Sequence, residues 1–180
     1  ALDALARAVE PRLQMADARI AARRARLTDR MRTRRAQLAK DSAAGTTISP
    51  EYLSHAIGEA VGKDAIIINE YPLRPDHCAR EKPGTFFSLG PAGGLGWGLG
   101  AALGAKLAAP DELIVATLGD GSYMFANPMV GHWVSAVHKL PILTVVFNNS
   151  RYGAVRRATL SMFKDGAAGE SDGRTLADLD

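Results

Sequence analysis

The stretch Leu113 to Asn149 constrains this chain more than any other. It holds two short apolar runs, Leu113–Leu118 and Ile142–Phe147, each the length of a buried strand and rich in branched residues. The first runs into Gly119-Asp120-Gly121 and the second into Asn148-Asn149. Between them, Pro128 to His138 has the composition of a helix, with Asn127 as its cap and Pro128 in first position. Strand, helix and strand in about 35 residues make a βαβ unit. Its crossover is expected to be right-handed, which makes the strands parallel. Ligands of such sheets collect beyond the carboxyl ends of strands, where Asp120 and Asn149 both fall. A carboxylate and an amide oxygen meeting there suit a hard cation such as Mg²⁺, whose octahedral shell phosphate oxygens and water complete.

The rest of the chain supplies further elements. Ser49-Pro50-Glu51 opens a helix with a capping hydroxyl, a proline at its first position and an acid at its positive end; Gly62 can close it. Ala65–Ile68 is a third strand, ending in Asn69-Glu70-Tyr71. An irregular stretch, Pro72 to Pro83, carries Arg74 and His77, which could face an anion or simply lie on the surface. Phe86 to Ala105 holds no charge, yet seven glycines and Pro91 exclude a membrane span. The same run reads better as a tight turn at 90–94 leading into a helix from about Leu95 to Leu107. Gly96, Gly100 and Gly104 then leave one helix face bare for another backbone or a flat ligand. Gly153 begins a last helix, whose free N–H groups lie beside Asn149. From Lys164 the chain is polar and dotted with glycine, as in a loop.

Charge divides the chain unevenly. Residues 1–40 hold ten arginines and Lys40 against Asp3, Glu10, Asp17 and Asp29. Subtracting these from the totals of 22 basic and 19 acidic residues leaves 11 and 15 for the remainder. Apolar residues recur through the first 40 as an interrupted helical stripe, with Pro11 expected to open a new helix. A basic helix can contact RNA or anionic lipid, but this one has no aromatic residue to stack or anchor. A solvated connecting helix is the preferred reading, so neither nucleic acid nor membrane is expected as a partner. Residues 1–44 are therefore assigned to a basic helical connector and linker, and 45–180 to a diphosphate- and Mg²⁺-binding domain. Without an initiator methionine, the chain is expected to be part of something longer. The lone Cys78 rules out an internal disulfide and fits a reducing compartment, for which a cytoplasmic address is taken as the default.

Gly-Asp-Gly followed 28 to 30 residues later by Asn-Asn, each ending an apolar strand, is a specific pattern. With Ala92-Gly93-Gly94-Leu95-Gly96 and the run Gly100 to Ala108, in this order and spacing, residues 48–160 resemble one known family. It is the carboxyl-terminal, thiamine-diphosphate-binding domain of the acetolactate synthase and benzoylformate decarboxylase group. The resemblance implies an α/β fold, a three-layer parallel sheet flanked by helices, holding thiamine diphosphate through Mg²⁺. By position it implies Asp120, Asn149 and the main-chain carbonyl of Arg151 as metal ligands. Gly119, Gly121 and Ser122 would meet the diphosphate; the Gly93 carbonyl, Gly94 and the bulky Leu95 would meet the aminopyrimidine and hold the cofactor bent. Such enzymes are lyases or transferases acting on 2-oxo acids, in homodimers or homotetramers. Their catalytic glutamate comes from a pyrimidine-binding domain of the same or a neighbouring subunit. No motif here matches that domain, Glu70 is not assigned its role, and no catalytic residue is expected in this chain, which alone should be inactive. Two other readings stay open: the subunit of a split decarboxylase, such as sulfopyruvate decarboxylase, and a non-catalytic binding module using the basic helix.

Overall fold

A computed structural model describes residues 2–13, 17–43, 45–90 and 93–166. The chain divides into two compact units, Ala1–Ala43 and Ala44–Asp180. The first consists of α1 (Leu2–Leu13) and α2 (Asp17–Asp41), neither with a buried residue. Pro11 does not open a new helix: it lies in the last turn of α1. Its ring already holds a helical φ, and so close to the end its missing N–H removes a single bond at a solvated position.

The second unit is an open sheet of four parallel strands in the order β2-β1-β3-β4. These are β1 (Ile66–Glu70), β2 (Phe86–Ser88), β3 (Ile114–Gly119) and β4 (Leu143–Phe147). Alternation along the strands divides the core into two layers. Ile67 and Val115 face Ile57, Leu73 and Cys78, while Ile68, Ile114, Ala116 and Leu118 face Leu99 and Ala102. The first layer is covered by α3 (Pro50–Val61) and the short α4 (Pro75–Cys78), the second by α5 (Trp97–Ala108). The result is the three-layer α/β architecture expected from the sequence.

Local signals explain most of the boundaries. Ser49 caps α3 by accepting the Tyr52 N–H at 3.0 Å, and Gly62 ends the helix at φ 72°. Arg80 then clamps that end to the start of β1, donating to the carbonyls of Gly62, Ala65 and Gly58. Burial raises the Cys78 thiol pKa, opposed by the Arg80 charge.

Two short elements are added to those expected from the sequence, and one expected cap is corrected. A strand, β2, does precede the glycine turn; it has three residues and lies at the sheet edge. The segment between the glycine-aspartate turn and α7 (Pro128–Val137) is itself helical, α6 (Asp120–Phe125). Asn127 precedes α7 but caps it with no side-chain bond, because it sits at φ 52°, ψ 68°. Its carbonyl accepts the Val130 and Gly131 N–H groups instead, and asparagine tolerates this left-handed backbone. The final helix, α8 (Gly153–Met162), starts where the sequence placed it. The tail expected to form a loop lies outside the described residues from 167 onward.

Candidate functional site

The strand order places a topological switch point between β1 and β3. From β1 the chain moves to β2 on one side, and from β3 to β4 on the other. The crevice beyond the carboxyl ends of these strands is where an open α/β sheet binds ligands. Glu70 ends β1 there, and Gly119 ends β3 with Asp120 immediately after it.

Asp120 and Asn149 leave neighbouring strands: Gly119 is in register with Phe147, so both lie just past the last paired residues. One Asp120 carboxylate oxygen accepts the Gly121 N–H at 3.0 Å, and the Asn149 side-chain oxygen accepts the Arg151 N–H at 3.0 Å. The Arg151 carbonyl accepts from Gly153 N–H at 2.8 Å. Each oxygen keeps a second lone pair. Asp120 is half-buried and Asn149 exposed, so the donor set is reachable from solvent. Carboxylate, amide and carbonyl oxygens are hard donors, the set that fits Mg²⁺. Among the described residues no three His, Cys, Asp or Glu side chains gather as a metal site.

Gly121 is closely covered by a side chain. A Cβ there would lie 2.9 Å from the Tyr152 ring, which covers the start of α6 and joins it to the loop after β4. Ser122 is buried in the same turn. The other expected cofactor contact, Gly93 to Leu95, leads into Gly96 at the start of α5. Gly93 has φ 64° and Gly96 φ 87°, conformations that favour glycine. A Cβ on Gly96 would lie 3.1 Å from the Ala126 backbone, so the glycine turn rests directly on the end of α6. Gly94 and Leu95 are exposed beside it. Fold and packing thus bring the turn at 93–96, α6 and the loop after β4 to one region.

Of the bare face foreseen at Gly96, Gly100 and Gly104, only Gly96, which precedes α5, is closely approached by another backbone; Gly100 and Gly104 have nothing within 4 Å of an added Cβ. Gly98 makes a further close approach: its Cβ would lie 2.9 Å from Glu70 Oε2.

Two residues escaped the sequence reading. Asn69 holds the turn after β1, exchanging bonds with the Leu73 backbone and accepting from the Thr117 hydroxyl at 3.0 Å. It sits beside Tyr71, a non-glycine residue at φ 75°. Glu70, fully buried, accepts from Gly96 N–H at 2.7 Å and Gly98 N–H at 2.5 Å. An Asn-Glu pair ending a strand was the only sequence signal. Arg74, a candidate for anion contact, instead lies 3.6 Å from Glu51, and its N–H donates to Ser54 on α3. An open groove of about 800 Å³ lies along α2, beside Leu27 and Met31, and holds none of these residues.

Comparison with known proteins points to the same region. Residues 74–179 match the family described as thiamine pyrophosphate enzyme, C-terminal TPP binding domain. The chain is 33% identical over 115 residues to an acetolactate synthase of Mycobacterium leprae, covering 62% of this chain and 18% of that one. It is 32% identical over 116 residues to a benzoylformate decarboxylase of Pseudomonas aeruginosa, covering 62% and 21%. Among solved structures it resembles a thiamine diphosphate-dependent 4-hydroxybenzoylformate decarboxylase of Rhodococcus jostii RHA1. The TM-score is 0.59 at 28% identity, over 71% of this chain and 24% of that one. The chain thus spans about a fifth of the length of the curated relatives it matches.

Proposed function

Because the chain belongs to the thiamine pyrophosphate enzyme family, in its C-terminal TPP-binding domain, we propose that it forms the diphosphate-holding half of an active site for 2-oxo acids. Asp120, Asn149 and the Arg151 carbonyl would hold Mg²⁺, and Gly119, Gly121 and Ser122 would lie against the diphosphate. The Gly93 carbonyl, Gly94 and Leu95 would carry the aminopyrimidine end. The observation that carries this reading is the packing of Gly96 on Ala126, which sets the glycine turn against the helix that Asp120 begins.

When bound, thiamine diphosphate supplies the carbanion stabilisation that 2-oxo acid chemistry requires. The residues of this chain bind and orient it: oxygen donors at one end, a bulky leucine and a carbonyl at the other. Proton removal falls to a pyrimidine-binding domain of the same or a neighbouring subunit. The surface of α6 and α7 suits such a partner, since Met124, Phe125, Met129 and Trp133 are all exposed. Decarboxylation or ligation of 2-oxo acids, in a homodimer or homotetramer in the cytoplasm, is the activity this arrangement fits.

Calorimetric titration with Mg²⁺ and thiamine diphosphate tests the reading. Wild-type protein should bind, and Asp120→Ala should weaken binding by tenfold or more, about the loss expected when a charged ligand group is removed. Equal affinity in the two proteins, or none in either, would sink it.

A further inference from the structure

We propose that Glu70 is a positioning residue: its buried carboxylate holds the glycine turn in the shape that Gly93 to Leu95 need to carry the aminopyrimidine end of the cofactor. This rests on the thiamine-diphosphate reading of the same site. Glu70 is 0% exposed, and its two oxygens are divided between two main-chain donors, Gly96 N–H and Gly98 N–H. Both belong to the start of α5, where unpaired N–H groups and the helix dipole favour a negative charge.

A helix start ordinarily takes its cap from its own N-cap side chain. Here the N-cap is Gly96, whose left-handed φ and 3.1 Å clearance from Ala126 leave no room for one. The capping group comes instead from the end of a strand 26 residues earlier. Gly98 completes the fit, since a Cβ at 98 would meet Glu70 Oε2 and Cβ. The turn is therefore held between Glu70 on β1 and Ala126 at the end of α6. One carboxylate sets its distance from the helix that Asp120 begins. A ligand that spans both ends of the site depends on that distance, whereas one that reaches only the diphosphate end does not.

Two substitutions test this in the whole chain, with two ligands titrated in the presence of Mg²⁺: thiamine diphosphate and inorganic diphosphate. Glu70→Gln replaces one accepting oxygen with an amide that confronts an N–H. Gly98→Ala displaces the carboxylate without changing its charge. Both should weaken thiamine diphosphate binding by about tenfold or more, the value of a hydrogen bond to a charged group, and leave inorganic diphosphate within about twofold. Amide exchange at Gly96 and Gly98 should quicken while that of Ile114 to Leu118 stays slow, a signature that general unfolding would not give. Equal weakening of both ligands, or wild-type affinity for both, overturns the role. Wild-type protein that binds neither ligand overturns the cofactor reading beneath it, while the exchange rates still report whether Glu70 holds the turn.

Discussion

Gly98, Gly104 and Gly131 all lie within helices, yet their surroundings give them opposite roles. An added Cβ at Gly131 would lie 2.3 Å from Leu99 Cδ2, and Leu99 is 1% exposed and cannot swing away. At Gly104 the same Cβ would meet nothing within 4 Å. Overpacking a core costs about 1–3 kcal/mol, while replacing glycine by alanine in a helix contributes about 1 kcal/mol. Gly131→Ala should therefore lower the urea midpoint, and Gly104→Ala should raise it, with m unchanged in both. A rise for Gly131→Ala would mean that α7 does not press on α5 as described. No local pattern distinguishes these glycines, because each neighbour comes from a different element. The same holds for Glu70. Its partners are 26 and 28 residues away, so its place at the end of a strand was legible and its task was not.

At the scale of elements, what the sequence revealed follows where the determining interaction is local. Helix α3 was legible because Ser49, Pro50 and Gly62 all act within their own turns. Strands β1 and β3 were legible as apolar runs, since a strand buried on both faces needs no alternation; β4, at the sheet edge and without a buried residue, was legible from its branched, apolar composition alone. Strand β2 was not: only three residues pair, and Phe87 is half exposed. Helix α6 was missed for a related reason, having six residues and one buried side chain. Removing a local determinant should therefore have a local, moderate effect. Ser49→Ala deprives the Tyr52 N–H of its acceptor and should cost about 1 kcal/mol of stability. Glycine at 49 should cost only a few tenths, and thermal unfolding of the pair would show it. Indistinguishable melting of wild type and Ser49→Ala would mean that the cap contributes nothing.

At the scale of the whole molecule, charge and site lie in different units. Every residue assigned to the site, from Gly93 to Arg151, lies in the second unit, which has its own two-layered core. The first unit has no buried residue in its helices, and an ion pair there between Asp29 and Arg32 is exposed and contributes little. Removing residues 1–43 takes away 11 basic residues and five acidic ones, the four counted to residue 40 together with Asp41. The remainder, 11 basic and 14 acidic, carries a net charge of −3 where the whole chain carries +3. Binding to polyanions falls steeply with salt when it rests on such charge. The shortened protein should therefore lose retention on heparin at low salt. It should also bind Mg²⁺ and thiamine diphosphate within about twofold of the whole chain, because no ligand group has been removed. If cofactor affinity falls tenfold with the basic helices, the first unit takes part in the site. If retention survives their removal, the anion-binding surface lies in the second unit, where Arg151, Arg156 and Arg157 gather around the start of α8.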